Sequence, residues 1–167
     1  RQWCGVQSAI LQPMNDLTLN NVPTREQIER LQMEMSQMPR ADLQLAADAM
    51  QTEHYFHAGM YARKLTRPAG TLIVGKVHKK DHFFLCAKGE IIAWTEGGMK
   101  HLYAGDIVQS RPGTKRVTLS VTDAIGITFH NSAETDLDKL EKELIEPDEL
   151  ALFDSSNKLK TLEIKGE

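Results

Sequence analysis

Two histidines four residues apart, His78 and His82, are the residues of this chain whose type and spacing most directly suggest chemistry. A lysine-rich turn, Lys79-Lys80-Asp81, separates them, and an apolar run stands on either side. If these runs are strands, the short turn lets the two imidazoles converge. Neutral imidazoles a few ångströms apart are suitable ligands for Zn, Fe, Ni or Mn, with water completing an open site.

A metal site of useful affinity needs a third ligand, and His130 is the best candidate because it lies near the end of a strand lined by the small residues Gly126 and Thr128. His101 is a weaker candidate, since the tip of a hairpin usually points outward. We therefore predict His78, His82 and His130 as metal ligands. The alternative is that His78 and His82 are hydrogen-bonded polar residues at the mouth of a barrel, because two histidines at this spacing do not by themselves specify a metal.

Lys76 favours an anion over a metal, because an ammonium group beside a divalent cation raises the cost of loading that cation. Together with Lys115 and Arg116, and with His78 and His82 as additional donors, it predicts a cationic ligand-binding pocket. Such a pocket would take a carboxylate, a phosphate or a nucleotide. The alternative for the basic residues is that they are solvated loop charges.

Size and composition describe one soluble globular domain. The chain has 167 residues, of which 41% are hydrophobic and 26% charged, and this is enough to bury a core. Its net charge of −3 argues against bulk binding of nucleic acid or anionic lipid, and no apolar run approaches the ~20 residues of a membrane helix. Two cysteines, Cys4 and Cys86, are too few for a disulfide scaffold and fit a reducing compartment.

From Met60 onward, short runs rich in Val, Ile, Thr and aromatic residues alternate with Gly, Pro and Asp. Strands are predicted at about 60–67, 71–77, 82–87, 90–95, 99–103, 106–110, 115–121 and 124–130. Eight short strands joined by tight turns are typical of an antiparallel jelly roll or a small barrel. The short connections exclude a parallel sheet.

Residues 1–58 are predicted to form an extended N-terminal arm with one long helix, 24–38. Thr24 reads as its N-cap, with Gln27 completing a capping box, and Pro39 ends it. The apolar residues of this helix are spaced by three and four, which predicts a narrow packing face. The same stripe would also suit a dimer seam.

Two further helical segments accompany the β-rich region, which spans 59–131. A short, alanine-rich piece is predicted over 42–50, followed by extended structure. Beyond the barrel, 132–167 reads as a C-terminal helix and tail, with the helix over 135–146.

The stretch that contains the histidine pair resembles the first motif of the cupin family, which runs Gly, five residues, His-x-His, three or four residues, Glu, six residues, Gly. At that spacing this chain has Gly70, Lys76, His78, His82 and Gly89. Lys76 stands where the family has its first histidine, and His82 stands where the family has glutamate. The spacing matches, and the ligand set differs.

The second cupin motif, Gly, five residues, Pro-x-Gly, two residues, His, is matched loosely by 105–117, where Arg116 or Val117 replaces the histidine. The combination of YAR, PAGT, the histidine pair, PGTKR and a late His130 resembles small cupin-like proteins encoded by tailed bacteriophages. This resemblance, which spans 60–130, implies a mainly β, cupin-like jelly roll of about eight strands with flanking helices. It also implies a viral protein in the cytoplasm of a bacterial host or associated with the virion.

Three functions are compatible with these features, and fold alone does not decide among them. The first is a phage-encoded, cupin-like binding protein for a small anionic metabolite or nucleotide, with or without a bound transition metal. The second is a metal-dependent cupin enzyme of the isomerase or dioxygenase type, although no nucleophile triad or phosphate loop identifies catalytic residues. The third is a structural or host-interaction protein that uses the barrel as a scaffold. By analogy with cupins that pair through their sheets, a homodimer or higher homo-oligomer is expected.

Overall fold

The computed structural model describes residues 22–160, so the predictions for 1–21 and 161–167 lie outside the described residues. Within that part, the fold is mainly β with flanking helices, as predicted. Its elements, in chain order, are α1 (Arg25–Ser36), α2 (Arg40–Asp48), β1 (Gln51–His57), β2 (Met60–Arg67), β3 (Leu72–Val74), β4 (His82–Lys88), β5 (Glu90–Thr95), β6 (Gly98–Tyr103), β7 (Ile107–Ser110), β8 (Arg116–Ser120), β9 (Ala124–Asn131) and α3 (Leu137–Leu144).

The strands form two antiparallel sheets of the jelly-roll type. The larger sheet has the order β1-β2-β9-β4-β7, and the smaller has the order β3-β8-β5-β6. Most neighbours are not consecutive in the chain, since β9 pairs with both β2 and β4 and β8 pairs with both β3 and β5. Distant parts of the chain are therefore brought side by side.

An apolar core fills one end of the space between the sheets. It combines side chains of β4, β7 and β9 from the larger sheet with side chains of β5 and β6 from the smaller one: Cys86, Ile91, Ala93, Leu102, Val108 and Ala124. Cys86 follows His82 by four residues on β4, which places the core ~13 Å along the strand from that histidine. The opposite end of the barrel is thus left to polar residues.

Helix α1 packs on the outer face of the smaller sheet. Its Ile28 and Leu31 are 0% and 3% exposed and contact Trp94 and Val117. The capping box at Thr24 is present as predicted, because its hydroxyl accepts from the backbone N–H of Gln27 and the Gln27 side chain accepts in return. The predicted apolar stripe is therefore a packing face in this structure.

The strand pattern differs from the prediction in number and in extent. Nine strands are present among the described residues, and the additional one, β1, lies in the stretch that the sequence assigned to the arm. The local sequence of this segment did not predict a strand at the edge of the sheet, because β1 joins the sheet through its pairing with β2. The predicted strand 71–77 is shortened to β3 (Leu72–Val74), after which the N–H of Gly75 makes a last bond to the carbonyl of Arg116.

Helix α3 covers the polar end of the barrel. Leu140 and Leu144 are 2% and 3% exposed and pack against Tyr61 of β2. The carboxylate of Asp136 caps the helix by accepting from the N–H of Lys139. A helix predicted over 135–146 is thus present as Leu137–Leu144 and acts as a cover. Among the helices of residues 22–160, none has the length and apolar character to span a membrane.

Candidate metal and ligand site

Strand register aligns a row of polar and aromatic side chains at the polar end of the larger sheet. Tyr61 of β2 lies opposite His130 of β9, and His82 of β4 lies opposite Ser110 of β7. Because Phe83 is paired with Phe129, His82 and His130 are neighbours on the inward face. The Tyr61 ring stacks on His130 with their centroids 5.6 Å apart. The sheet therefore presents two of the three predicted imidazoles side by side.

His78 completes the group from the segment that follows β3. Its carbonyl accepts from the N–H of Gly113, and its backbone forms a β-bridge with Ile145 just beyond α3. The ring centroid of His78 is 4.1 Å from that of His82 and 5.1 Å from that of His130, and the last two are 4.8 Å apart. One ring nitrogen from each residue lies within 4.8 Å of the others. The predicted convergence of these three rings is confirmed, whereas metal binding stays a prediction.

Burial keeps the three imidazoles neutral. Desolvation, assisted by the neighbouring histidines and by Arg116 and Arg63, lowers the pKa of His78 to about 2. Desolvation also lowers the pKa of His130 to about 3 and lowers that of His82. Neutral imidazole is the form that binds a metal, so no proton must leave before a cation is bound at pH 7.

One ring atom at this site lacks a partner. His130 is only 5% exposed, and its buried Nδ1 has no hydrogen-bond partner. A buried polar nitrogen without a protein partner is unfavourable and is typical of a position that binds a ligand or water. Three neutral nitrogens in close proximity match the donors preferred by Zn, Fe, Ni and Mn. The residues present therefore fit a divalent transition metal.

The histidines form one wall of a cavity of about 320 Å³. This volume is at the small end of the range for ligand pockets. The charged and aromatic side chains that line its barrel portion come from β2, β4 and β8: Tyr61, Arg63, Arg67, Phe84 and Arg116. The three guanidinium groups give this portion a positive character.

The residues predicted to bind an anion are distributed unequally. Arg116 lines the cavity, donates to the Ser110 hydroxyl, and holds its guanidinium carbon 5.8 Å from the centroid of the Phe84 ring. Lys76 also lines the cavity, but its ammonium group donates to a carboxylate oxygen of Glu141 at 2.6 Å, which neutralises its charge. Both residues therefore lie near the site. The charge of Lys76 is neutralised by Glu141, whereas within the described chain the charge of Arg116 remains available to an anion.

Lys115 is not brought to the cavity. It is 3% exposed, and its ammonium group lies 3.2 Å from a carboxylate oxygen of Asp148, which also accepts from the Gln32 amide at 3.0 Å. The sequence predicts Lys115 in the cationic pocket with Lys76 and Arg116. Lys115 lies just before β8, and of these two neighbours only Arg116, the first residue of that strand, lines the cavity. His101 likewise lies elsewhere, on β6 beside Glu90 and Tyr103.

The sequence alone assigns no place in the site to Tyr61, Arg63 or Arg67. The signal was present as strict alternation, since Tyr61, Arg63, Leu65 and Arg67 occupy every second position of β2. All four line the cavity. Which face of β2 pointed inward depended on its pairing with β9, which no local pattern specifies.

The lowered pKa values predict a loss of stability in acid. Unfolded histidine has a pKa near ~6.5, whereas native His78 and His130 titrate at about 2 and about 3. As the pH falls below ~6.5, these histidines therefore become protonated in the unfolded chain but stay neutral in the native state. Each such group should lower the free energy of unfolding by up to ~1.4 kcal/mol per pH unit.

Urea unfolding of metal-free protein at pH 7, 6 and 5 measures this slope. The double variant His78→Gln, His130→Gln should show a shallower fall in stability than the wild type. The exposed His57→Gln provides the matched control. Equal slopes for the wild type and the double variant would contradict the prediction.

Comparison with known proteins yields similarity at the level of fold. No family model matches the chain, and no curated protein matches it. Similar solved structures include an RmlC-like cupin from Shewanella frigidimarina, with 22% identity over 53% of this chain and 80% of that chain and a TM-score of 0.46. KdgF from Halomonas sp. has 18% identity over 53% of this chain and 83% of that chain, also with a TM-score of 0.46.

A third similar structure is the cupin-2 domain of an XRE family transcriptional regulator from Enterobacter cloacae. It has 15% identity over 48% of this chain and 94% of that chain, with a TM-score of 0.43. At these identities and TM-scores the similarity carries no argument about function. The site must be interpreted from its own residues.

Proposed function

We propose that this protein is a cupin-like binding protein for a small anionic molecule, and that His78, His82 and His130 hold a divalent transition metal in the wall of its cavity. The observation that carries the proposal is the convergence of three neutral imidazoles on a cavity that also bears guanidinium groups. The unpartnered Nδ1 of His130 supports the metal, and Arg116 supports the anion. A phage origin and a nucleotide as ligand stay predictions from the sequence.

A metal-dependent enzyme of the isomerase or dioxygenase type is the second candidate. It is favoured by the small number of protein ligands, because three histidines leave coordination positions for a substrate on the cavity side. A bound metal would supply Lewis-acid polarisation of a substrate oxygen. The Tyr61 ring stacks on His130 and would help to orient the His130 imidazole. The Tyr61 hydroxyl is itself held by a 2.9 Å hydrogen bond with Nδ1 of His54.

The test of the proposed function is a binding measurement on the full chain. Metal-free protein is dialysed against Zn²⁺, Ni²⁺, Mn²⁺ and, without oxygen, Fe²⁺, and bound metal is counted by elemental analysis. About one equivalent of at least one metal is expected in the wild type and in His57→Ala, and less than a tenth of an equivalent in His78→Ala. In parallel, melting temperatures are recorded with succinate, phosphate and AMP, at least one of which should stabilise the wild type. Absence of both effects would overturn the proposal.

We also expect self-association through the outer face of the larger sheet. Phe83 and Phe129 are paired across β4 and β9 and are 48% and 41% exposed, while Ile107 of β7 is 64% exposed. A contiguous apolar face on a sheet is typical of an interaction surface. Light scattering during gel filtration should give at least twice the chain mass of 18.8 kDa for the wild type. Phe83→Lys combined with Phe129→Lys should give a monomer, whereas a monomeric wild type would contradict this expectation and favour a different partner on this face.

A further inference from the structure

Arg67 is a buried cation with unused hydrogen-bond donors. The residue is 3% exposed, and one terminal nitrogen, Nη1, donates to the hydroxyl of Thr118 on the facing sheet at 2.8 Å. Its Nε and Nη2 are buried without a partner. Burial lowers the pKa of Arg67 to about 10, and the positive charge of Arg63 contributes to this shift. A buried guanidinium without a charged partner lowers the free energy of unfolding. Its presence at this position therefore suggests a role in binding rather than in stability.

Arg63 lies on the same inward face of β2, four residues before Arg67 and with Leu65 between them. Four residues along a strand correspond to ~13 Å, so Arg63 provides a second cation along this face rather than a second donor to the same ligand group. Arg63 is half-buried, and within residues 22–160 no carboxylate forms an ion pair with it or with Arg67. Burial lowers the pKa of Arg63 as well. Two like charges thus share one side of the cavity.

The acidic residues around the cavity are engaged elsewhere. Glu141 accepts from Lys76, and Asp154 accepts from the backbone N–H groups of its own turn. Both attract Arg63 electrostatically without pairing with it. Asp42 also lines the wider cavity and belongs to the first turn of α2. The positive charge on β2 is therefore not balanced by hydrogen-bonded acids of the described chain.

We infer that Arg67 forms an anion subsite inside the barrel, which binds the carboxylate or phosphate group of a small organic molecule, and that Arg63 adds a second positive charge along the same face of β2. Guanidinium groups recognise these oxyanions through paired N–H donors, and the unused Nε and Nη2 of Arg67 are such a pair. The adjacent Phe84 and Leu65 supply apolar contact for the rest of the ligand. The inference rests on the proposed function, because it requires that the cavity bind a small anionic molecule.

The subsite and the histidines lie at different ends of one cavity. Thr128, which pairs with Arg63, precedes His130 by two residues on β9, whereas Arg67 pairs with Ala124. Arg63 therefore lies between Arg67 and the three imidazoles along the sheet. This arrangement separates the anion-binding end of the cavity from the end at which a metal would bind.

The test is a titration of metal-free protein with succinate, inorganic phosphate and the uncharged analogue succinamide, at constant ionic strength, with the melting temperature as readout. Wild type and the exposed control Arg111→Met should be stabilised by succinate or phosphate and not by succinamide. Arg67→Met should bind that anion about 10- to 100-fold more weakly. Its melting temperature without ligand should be above that of the wild type, because a buried charge has been removed. The stronger of the two anions identifies the ligand group as carboxylate or phosphate.

Arg63→Met, a half-buried position, repeats the test without disturbing the contact to Thr118. If both variants bind the anion as tightly as the wild type, the arginine subsite is wrong and the proposed function stands. If the wild type responds to neither anion, the subsite and the anion-binding function fail together. A lowered melting temperature of Arg67→Met with undiminished anion affinity would show a purely structural arginine and overturn the inference.

Discussion

Replacing His130 with alanine should weaken metal binding by at least ~100-fold. Loss of a group that merely supports a metal ligand already costs ~10- to 100-fold in affinity, so loss of one of three ligands should cost no less. His130 is central to the group, since its ring stacks against His78, His82 and Tyr61. A competition titration with a chromophoric zinc chelator measures the affinity.

The matched control is His101→Ala, which removes an imidazole on β6 outside the site. Its metal affinity should equal that of the wild type. To separate loss of a ligand from loss of the fold, the far-UV circular dichroism and urea midpoint of His130→Ala are compared with those of His130→Gln. Both variants should stay folded and both should lose the metal. Retention of wild-type affinity by folded His130→Ala would contradict the assignment.

Replacing Lys115 with methionine should destabilise the protein by ~3–5 kcal/mol, because it leaves a partly buried carboxylate, already removed from most of its solvent, without its cation. The side chains of Lys115 and Asp148 are 4% and 17% exposed. The pair ties β8 to the segment that follows α3, and Gln32 of α1 donates to the same carboxylate. Urea unfolding gives the change in the free energy of unfolding.

Lys80→Met is the control, since Lys80 pairs with Glu143 at the surface with side chains 48% and 33% exposed. Its loss should cost under ~1 kcal/mol. Replacing both members of the buried pair, Lys115→Met with Asp148→Leu, should recover much of the lost stability, because no charge is then left unpaired. A cost for Lys115→Met as small as that for Lys80→Met would show that the pair is not structural.

The histidine pair could be read from the sequence because its geometry is local. A turn of three residues between His78 and His82 restricts the separation of their rings, and the alternation of His82, Phe84 and Cys86 follows from the pleat of one strand. The capping box at Thr24 is local in the same sense. These features need no knowledge of distant partners.

The failures concern residues whose position depends on another strand. β1 becomes part of the sheet through its pairing with β2, and Arg67 becomes part of the site because β2 pairs with β9 in one register. A shift by one residue would turn Arg63 and Arg67 outward. The third predicted ligand, His130, was selected by its residue type and its position near the end of a strand, and the register places it beside His82.

Charge could be counted from the sequence but not assigned to partners. Lys76 appeared as a free cation that would oppose a metal, and Glu141 of α3 neutralises it. Lys115 appeared beside Arg116 as a ligand residue, and Asp148 holds it in a structural ion pair. Both carboxylates come from the C-terminal segment, more than thirty residues away in sequence. The electrostatics of the site therefore depends on how that segment folds over the barrel.

The most direct test of the account is a crystal structure of the wild type grown with Zn²⁺, with diffraction data collected on both sides of the zinc absorption edge. One anomalous peak is expected inside the barrel, ~2.0–2.1 Å from a ring nitrogen of each of His78, His82 and His130. The peak should be absent from crystals of His130→Ala. Three imidazoles bonded only to water or to one another, with anomalous signal confined to the protein surface, would contradict the metal site.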